Sequence, residues 1–270
     1  MLFRSGGADS LALLVLATAA GCTVTAAHVD HGLRVGSAAE AHIVASAAAR
    51  FNATFVSLSV AVGAGPNLEA RSRDARRSVL PADALTGHTA DDQAETVLIN
   101  LLRGAGVDGL AGMRAARHPI LALRRVETEA ICHQLGLTVV NDPSNREPRF
   151  VRNRIRHEVL PLLREVADRD VSAMLARQAR ALGDDADFLN DLAHAVDPTD
   201  ASALNAAPLP LARRAVRRWL SNPMPPSADD VERVLAVASG RATACEIQGG
   251  RRIARTAMTL RIEPPNPQNH

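Results

Sequence analysis

The chain contains 270 residues, of which 47% are hydrophobic, and its formal net charge is +2. This length suits one large domain with a smaller appendage, and this composition indicates a folded core rather than a disordered chain. No apolar run approaches the ~20 residues that cross a bilayer, and none of the 3 cysteines lies in a C-x-x-C pair. A membrane partner, a disulfide framework, a zinc site and an iron–sulfur cluster are therefore excluded, and we expect a cytoplasmic protein.

Short apolar runs alternate with helical segments in the first half of the chain. This alternation predicts an α/β fold, a doubly wound parallel sheet with helices on both faces. The predicted strands are Leu2–Arg4, Thr23–Val29, Thr54–Val60, Ala84–Thr86, Ile120–Leu123 and Thr138–Val140, and the predicted helices are Leu11–Ala20, Ala38–Phe51, Leu68–Leu80, Asp91–Arg103 and Val126–Leu135. Ligands of such sheets bind beyond the carboxyl ends of the strands, so the residues that follow the strands are the site candidates.

The alternation stops after residue 141, which predicts a second, small and mostly helical domain. A helix begins near Ile155, and a long helix covers Val171–Ala195. The predicted organisation is a catalytic domain (1–165), connecting helices (166–196), a linker (197–210), a small domain with a hairpin at Gly249-Gly250 (211–263) and a disordered tail (264–270).

The loop of residues 5–10 has the sequence SGGADS and is the most informative motif. Two adjacent glycines allow successive N–H groups to turn inward and form an anion site at the start of a helix. Ser5 and Ser10 supply further donors, and Asp9 supplies a carboxylate for a metal ion that accompanies phosphate. The absence of lysine from the chain excludes the lysine-bearing ATP loop. A pyrophosphate-binding loop and an ordinary capped turn both remain compatible with this motif alone.

The second predicted strand ends in the sequence HVDHGLR. His28 and Asp30 share one face of this strand, whereas His31 begins a turn, so the spacing does not favour a three-ligand metal site. A strand end that contacts a nucleotide and a capped turn remain the alternatives.

A cluster of acids follows the fourth predicted strand. Asp91 or Asp92 caps the next helix, and Glu95 lies one turn further along the same face, near His88. A favourable interaction with the helix dipole explains one or two acids, but explains three acids and a histidine less well. The cluster also fits the binding of Mg²⁺ beside a triphosphate, or of the ammonium group of an amine substrate.

Arginines are concentrated between Arg152 and Arg156, after the turn Asn141–Asn145. A solvated basic helix start and the neutralisation of RNA phosphates by bidentate arginines are both compatible with this block. Aromatic residues make up 2% of the chain and tyrosine is absent. Base stacking on aromatic platforms is therefore excluded as the main mode of recognition.

Together these segments resemble the tRNA(Ile)-lysidine synthetases of the PP-loop (N-type) ATP pyrophosphatase superfamily. The resemblance covers most of residues 5–165, and its specific motifs are His28–Arg34, Gly87–Met113 and Arg152–His157. It implies an adenine nucleotide alpha-hydrolase-like fold and a small C-terminal domain that contacts tRNA. It also implies an enzyme that uses ATP and Mg²⁺ to join free L-lysine to carbon 2 of the wobble cytidine of tRNA(Ile) with a CAU anticodon. An adenylated base is the implied intermediate, and lysidine, AMP and pyrophosphate are the products.

The resemblance also implies roles for individual residues. The implied nucleotide-binding residues are Ser5, Gly6, Gly7, Ala8, Asp9 and Ser10 at the phosphates, with Asp9 at Mg²⁺, and His28 and Asp30 near the adenine. The implied catalytic residues are Asp9, Arg73, His88, Asp92 and Glu95, of which Asp92 and Glu95 bind and activate the lysine amine. The implied tRNA contacts are Arg152, Asn153, Arg156, Arg213 and Arg217.

Two rival functions are weighed against this one. A tRNA thiolase of the same superfamily needs paired cysteines, and a glutamine-dependent ligase needs an amidotransferase domain, and the sequence shows neither. A non-catalytic nucleotide- or RNA-binding module does not need Asp9, Asp92 and Glu95, which are all present. The sequence does not decide between a monomer and a homodimer, nor how the tRNA is distinguished from a methionine tRNA with the same anticodon.

The main departure from the family concerns the strand before the loop, because family members have a full strand at that place. Only Met1–Arg4 precede the loop in this sequence. We therefore expect either a natural start upstream of Met1 or a short central strand.

Overall fold

The computed structural model describes residues 2–4, 6–30, 37–60, 78–81, 83–140, 147–222 and 224–263. The chain divides into two compact units, Met1–Gly183 and Asp184–His270. The elements of the first unit are β1 (Leu2–Arg4), α1 (Ala8–Ala19), β2 (Thr25–Asp30), α2 (Ser37–Arg50), β3 (Thr54–Ser59), β4 (Leu85–Thr86), α3 (Ala90–Leu102), α4 (Val107–Leu110), α5 (Arg125–Gln134), α6 (Val151–Arg154) and α7 (Leu160–Ala167). A 3₁₀ turn occupies Ala115–Arg117 and a π-helical turn occupies Ile155–Val159, and α8 (Val171–Ala193) runs from the first unit into the second.

The described strands of the first unit form a four-stranded parallel sheet in the order β3-β2-β1-β4. Phe3 of β1 is paired with Ala27 of β2 and with Thr86 of β4, so the short strand β1 lies inside the sheet. The expected α/β class with a parallel sheet is confirmed, and β1 to β4 lie within two residues of their predicted bounds. Because the strands are parallel, the loop before α1 and the segment before α3 leave the sheet at the same edge.

Two predicted strands are wrong. Ile120–Leu123 forms consecutive turns, and Thr138–Val140 has no regular secondary structure. The N–H of Ala90 donates to Leu123 O at 2.8 Å, and the N–H of Val140 donates to Gly6 O at 3.0 Å. These are isolated hydrogen bonds rather than a ladder. The apolar side chains of the first segment pack into the core of the first unit instead, where Ile120 is 4% exposed.

The helices α1, α2, α3 and α5 confirm four predicted helices, with starts that differ by one to three residues. The fifth, Leu68–Leu80, lies mostly outside the described residues. Leu13 and Leu14 of α1 pack with Val24 and Val44 in the main core of the sheet domain. Burying each of these leucine side chains stabilises the fold by about 1.5–3 kcal/mol.

After α8, the described residues of the second unit form three helices and an antiparallel sheet. Its elements after α8 are α9 (Ala201–Ala206), α10 (Leu209–Leu220), α11 (Ala228–Ala238), β5 (Ala244–Ile247), β6 (Arg251–Thr256) and β7 (Thr259–Glu263), with strand order β5-β6-β7. Gly249 and Gly250 connect β5 to β6 with φ of +83° and +71°, which suits a tight hairpin. The predicted hairpin is therefore confirmed, whereas β7 extends it to a third strand. The predicted disordered tail lies outside the described residues.

The predicted linker over 197–210 requires correction, because this segment contains α9. Asp200 caps α9 by accepting a hydrogen bond from the N–H of Ser202 at 2.8 Å. Ala201 and Leu204 are buried in the same core as Val216 of α10. The small and apolar residues of this segment therefore pack into the second unit rather than joining two domains. Across the described ranges, no helix combines the length and the apolar character that a membrane span requires.

Candidate active site

The loop between β1 and α1 requires glycine at Gly6. Its φ is +73°, and a Cβ at this position would lie 2.6 Å from Val140 Cγ2, so both the backbone conformation and the available space exclude a side chain. The next residue, Gly7, precedes α1 and provides no side-chain cap for the first N–H groups of that helix, which begins at Ala8. Uncapped N–H groups and the positive end of the helix dipole suit the binding of phosphate. Ser5 lies outside the described residues.

Gly87 allows the segment after β4 to pack directly against the start of α1. A Cβ at Gly87 would lie 2.6 Å from Asp9 O and 3.0 Å from Ser10 Cα, which is closer than a side chain can approach. Ser10 is 8% exposed. Since β1 and β4 are neighbours in the sheet, this close approach brings the N-terminus of α3 beside that of α1.

Asp9, in the first turn of α1, is a partly buried carboxylate around which the described residues place few donors. Its Oδ1 accepts a hydrogen bond from Thr128 Oγ1, and its Oδ2 lies 3.7 Å from Arg125 Nε. Burial raises the pKa of Asp9 to about 6; the hydrogen bond from Thr128 opposes this rise, and the nearby Asp92 carboxylate adds to it. A carboxylate with so little compensation favours a nearby cation.

The donor set around Asp9 fits a Mg²⁺ ion bound together with phosphate. Among the described residues, no three His, Cys, Asp or Glu side chains converge to form a metal site on their own. Mg²⁺ commonly takes one or two protein carboxylates and completes its octahedral shell with substrate phosphates and water. Asp9 supplies one such carboxylate at a helix N-terminus suited to phosphate.

Helix α3 holds two buried carboxylates, those of Asp92 and Glu95, which are 6% and 0% exposed. Asp92 Oδ2 accepts hydrogen bonds from Thr89 N–H at 2.9 Å and from Thr89 Oγ1 at 3.0 Å, as part of a capping box. Gln93 donates to two main-chain carbonyls of the segment after α4 and accepts from the N–H of Met113 at 2.8 Å. These contacts fix the rotation of α3 and hence the positions of both carboxylates.

Among the described residues, three arginines contact these two carboxylates. Arg152 Nε lies 2.7 Å from Glu95 Oε2, and Arg156 Nε lies 2.6 Å from Glu95 Oε1. Asp92 Oδ1 lies 2.9 Å from Arg125 Nη2, 3.2 Å from Arg152 Nη2 and 3.4 Å from Arg156 Nη2. Arg152 and Arg156 are four residues apart on consecutive helical turns and therefore share a face. We call the six residues Asp9, Asp92, Glu95, Arg125, Arg152 and Arg156 the carboxylate–arginine cluster.

The charges of the carboxylate–arginine cluster balance one another. Burial acts to raise the pKa of Asp92, but the guanidinium groups of Arg125 and Arg152 lower it overall. Burial likewise acts to lower the pKa of Arg125 and of Arg152, but the carboxylates of Asp92 and Glu95 raise both overall. These groups are therefore charged at neutral pH. Removing the carboxylate of Asp92 or of Glu95, the two that are closely paired, leaves an uncompensated guanidinium charge, which costs about 3–5 kcal/mol.

Sequence reasoning missed Arg124 and Arg125, which stand at the start of α5. Arg124 binds Asp91 through two contacts, Nη2 to Oδ1 at 2.8 Å and Nε to Oδ2 at 3.0 Å. The N–H of Arg125 also donates to Asp91 Oδ2 at 2.8 Å, so Asp91 joins α5 to α3. The available signal was an adjacent pair of arginines at the start of a predicted helix, where the helix dipole disfavours positive charge.

Histidines lie in two places near the carboxyl ends of the strands. His28 of β2 is 3% exposed, and neither of its ring nitrogens has a hydrogen-bond partner among the described residues. Because leaving such a group unsatisfied is unfavourable, a ligand that bonds to it would be stabilised. His88 Nδ1 lies 2.7 Å from Thr86 Oγ1 and 3.1 Å from His118 Nδ1. His88 also lowers the pKa of Asp92, against the effect of burial, but by less than the arginines and the Thr89 N–H do.

The remaining candidates of the first unit lie at the edge of the site or beyond the described residues. Asp30 is the last residue of β2, at the same sheet edge as the loop. Asn153 is 9% exposed, and its Nδ2 donates to Glu147 O at 2.9 Å. Arg73 falls outside the described residues.

The second unit carries the other two predicted tRNA contacts, both on α10. Arg213 Nε lies 2.6 Å from Glu232 Oε1 in an exposed ion pair, and Arg217 is exposed. Their neighbour Arg218 donates to Ala193 O at 2.9 Å and so stabilises the unit itself.

Comparison with known proteins first defines the class. A family described as the PP-loop domain matches residues 1–163, the segment that carries the site. A solved structure, the U34-tRNA thiolase NcsA from Methanococcus maripaludis with its [4Fe-4S] cluster, shares the fold at a TM-score of 0.52 and 17% identity. That match covers 67% of this chain and 71% of the thiolase chain. The first unit is thus a PP-loop domain.

Curated relatives then define the family within this class. The tRNA(Ile)-lysidine synthase of Nocardia farcinica is 42% identical over 263 residues, which cover 91% of this chain and 82% of the relative. That of Mycobacterium tuberculosis H37Rv is 43% identical over 236 residues, or 80% of this chain and 73% of the relative. The chain belongs to the tRNA(Ile)-lysidine synthase family.

Proposed function

We propose that this enzyme joins free L-lysine to carbon 2 of the wobble cytidine of tRNA(Ile) with a CAU anticodon. In the first step, O2 of the cytidine attacks the α-phosphorus of ATP, and the bond to pyrophosphate breaks. In the second step, the ε-amino nitrogen of lysine attacks carbon 2 after losing a proton, the bond from carbon 2 to the adenylated oxygen breaks, and AMP leaves. Family membership and the chemistry of the carboxylate–arginine cluster support this proposal.

ATP is assigned to the sheet edge beside α1. The N–H groups at the start of α1, with Ser10, bind the phosphates, and the unsatisfied ring nitrogens of His28, near Asp30, face the nucleoside. Asp9 would hold Mg²⁺, which when bound neutralises phosphate charge and makes pyrophosphate a better leaving group.

The lysine amine is assigned to Asp92 and Glu95. The low pKa of Asp92 keeps it ionised, so it attracts an ammonium group but is a weak base while it is paired with arginine. When phosphate oxygens bind the guanidinium groups instead, the arginines no longer lower the pKa of Asp92. Burial then raises this pKa, so the Asp92 carboxylate becomes a stronger base. It can then accept the proton that the attacking amine must lose.

Phosphate contacts are assigned to the arginines around the cluster and on α10. In the free chain Arg152 and Arg156 have carboxylate partners, and Arg213 has an exposed partner that contributes about 0–1 kcal/mol. Each guanidinium can exchange its carboxylate for a phosphate, which it also binds in a bidentate manner. The residues proposed to face ATP or tRNA phosphates are Arg73, His88, Arg152, Asn153, Arg156, Arg213 and Arg217.

The observation that carries the proposal is the contact of the fully buried Glu95 with Arg152 and Arg156, beside a helix start suited to phosphate. The test incubates the full chain with tRNA(Ile) transcript, ATP and labelled lysine. We expect ATP-dependent label on the RNA, which Glu95→Gln abolishes without loss of tRNA affinity, whereas Glu165→Gln at an exposed position of α7 leaves it unchanged. No label beside an active relative, normal turnover of Glu95→Gln, or incorporation of sulfur instead of lysine would contradict the proposal.

A further inference from the structure

Two histidines and a threonine form a hydrogen-bonded cluster at the carboxyl end of β4. Thr86 Oγ1 lies 2.7 Å from His88 Nδ1 and 2.6 Å from His118 Nδ1, and the two Nδ1 atoms lie 3.1 Å apart. The imidazole rings meet edge to face, with centroids 4.7 Å apart and an interplanar angle of 85°. We call these three residues the histidine–threonine cluster. Both rings direct the same nitrogen, Nδ1, to one hydroxyl group.

The segment that carries His118 is bonded to helix α3 on both sides of this residue. Before it, the N–H of Met113 donates to Gln93 Oε1 of α3 at 2.8 Å. After it, the N–H of Ala90 at the start of α3 donates to Leu123 O at 2.8 Å. The position of the His118 ring is therefore tied to the helix that carries the acids of the site.

The hydrogen bonds of the histidine–threonine cluster couple the tautomers of its two rings. The Thr86 hydroxyl group has one proton, which it can donate to only one of the two rings. The neutral ring that accepts this proton has an unprotonated Nδ1, so its N–H is at Nε2. The other neutral ring carries its N–H at Nδ1 and donates to Thr86 Oγ1. The two histidines are thus opposite tautomers, and the tautomer of His118 determines that of His88.

A phosphate ligand at His88 requires one of these two arrangements. The ionised oxygens of a nucleotide phosphate accept hydrogen bonds, so a neutral His88 must donate to them. Because its Nδ1 is turned to Thr86 and His118, His88 can donate to a phosphate only through Nε2. This tautomer results when His118 donates to Thr86 and Thr86 donates to His88. Each bond of such a chain polarises the next and so strengthens the final donor.

We propose that His118 and Thr86 are positioning residues for His88, an inference that rests on the role of His88 in the proposed function. His118 Nδ1–H donates to Thr86 Oγ1, Thr86 O–H donates to His88 Nδ1, and His88 Nε2–H donates to a phosphate oxygen of ATP. His118 and Thr86 act on the nucleotide through His88, because they keep its ring in one orientation and one tautomer.

The first test measures the tautomers of the free chain. Long-range proton–nitrogen correlation spectra of the chain with isotope-labelled histidine distinguish Nδ1–H from Nε2–H at about pH 8, where an ordinary imidazole is neutral. The variants His88→Gln and His118→Asn assign the signals. We expect Nε2–H for His88 and Nδ1–H for His118 in the wild type. In His118→Leu we expect mixed tautomers of His88, because Thr86 can then either donate or accept. The reverse assignment in the wild type, or an unchanged His88 signal in His118→Leu, would overturn the proposal.

Kinetics then test the consequence for the nucleotide. His118→Leu is expected to raise the KM for ATP about twofold to tenfold in the tRNA labelling assay, as the loss of one hydrogen bond does, with the KM for lysine unchanged at saturating ATP. His118→Asn should restore most of this loss, because its amide nitrogen takes the place of Nδ1. Thr86→Val should resemble His118→Leu, whereas Thr86→Ser keeps the hydroxyl group. His133→Leu, at an exposed position of α5, is the matched control.

The outcomes separate this inference from the proposed function. If the wild type labels tRNA with lysine but His118→Leu and Thr86→Val keep its KM for ATP, or His118→Asn is as impaired as His118→Leu, the positioning role is refuted and the proposed function stands. If the wild type labels no tRNA, the proposed function fails. Calorimetry with a nonhydrolysable ATP analogue then decides the positioning role, which requires weaker binding by His118→Leu than by the wild type and is refuted by equal affinities.

Discussion

Replacing Asp9 by Asn tests whether the site is maintained at a cost in stability. Burial raises the pKa of Asp9 to about 6 from 3.8 in an exposed carboxyl group. The folded chain therefore binds the proton of the Asp9 carboxyl group more tightly than the unfolded chain does. The stability that this bound proton contributes is complete below about pH 4 and is lost as the pH rises through about 6. Since one pK unit corresponds to about 1.4 kcal/mol, ionised Asp9 destabilises the fold by about 3 kcal/mol at about pH 8.

Asparagine removes the charge but keeps an oxygen that accepts the Thr128 hydrogen bond. We expect Asp9→Asn to raise the free energy of unfolding of the free chain by up to about 3 kcal/mol at about pH 8 and by about half as much at about pH 5. The same variant should lose ATP-dependent labelling of tRNA, since the proposed Mg²⁺ ligand is gone. Urea denaturation of wild type and variant at both pH values measures the difference, with Asp83→Asn at an exposed position as the control. An equal gain at both pH values, or none at the higher one, would refute the assigned burial cost.

Further predictions concern the framework of the site and its ligands. A strained backbone alone costs about 1–2 kcal/mol, and Gly6→Ala is expected to destabilise the fold by more than this because its Cβ also overlaps Val140. Gly136→Ala is the control, since Gly136 has φ of +60° but open space around it. It should show the backbone cost alone in urea denaturation. Gln93→Ala should cost about 2–4 kcal/mol in the same measurement, since buried main-chain groups lose their partners; a cost below about 1 kcal/mol would contradict this role. A nonhydrolysable ATP analogue should tighten lysine binding about tenfold in calorimetry, and an unchanged affinity would contradict the exchange of partners at Glu95.

The sequence alone predicts the features that depend on local order. The glycine loop, the acids at the start of α3 and the spacing of Arg152 and Arg156 are each carried by a few consecutive residues, so helix periodicity and loop chemistry are sufficient. Arg125 escaped prediction because its partners, Asp92 and Glu95, are about thirty residues away and are reached only through the packing of α5 on α3.

Apolar composition led to wrong predictions in segments that are buried without pairing as strands in a sheet. Ile120 is part of the core although its backbone turns, and a short apolar run cannot show whether it joins a sheet or only covers one. The same ambiguity explains the segment 197–210, where proline and alanine are typical of a linker but Ala201 and Leu204 pack as a helix in the core.

The proposed exchange of partners in the carboxylate–arginine cluster follows from its charge balance. In the free chain, the carboxylates of Asp92 and Glu95 satisfy the guanidinium groups, so neither set is left unpaired in a buried place. A bound phosphate adds negative charge and competes with the carboxylates for the same guanidinium groups, because both form charge-assisted hydrogen bonds with arginine. The carboxylates that are released then need a cation, and the ammonium group of lysine is one. Under the proposed function, nucleotide and lysine therefore favour each other's binding, and by linkage the factor by which ATP tightens lysine must equal the factor by which lysine tightens ATP.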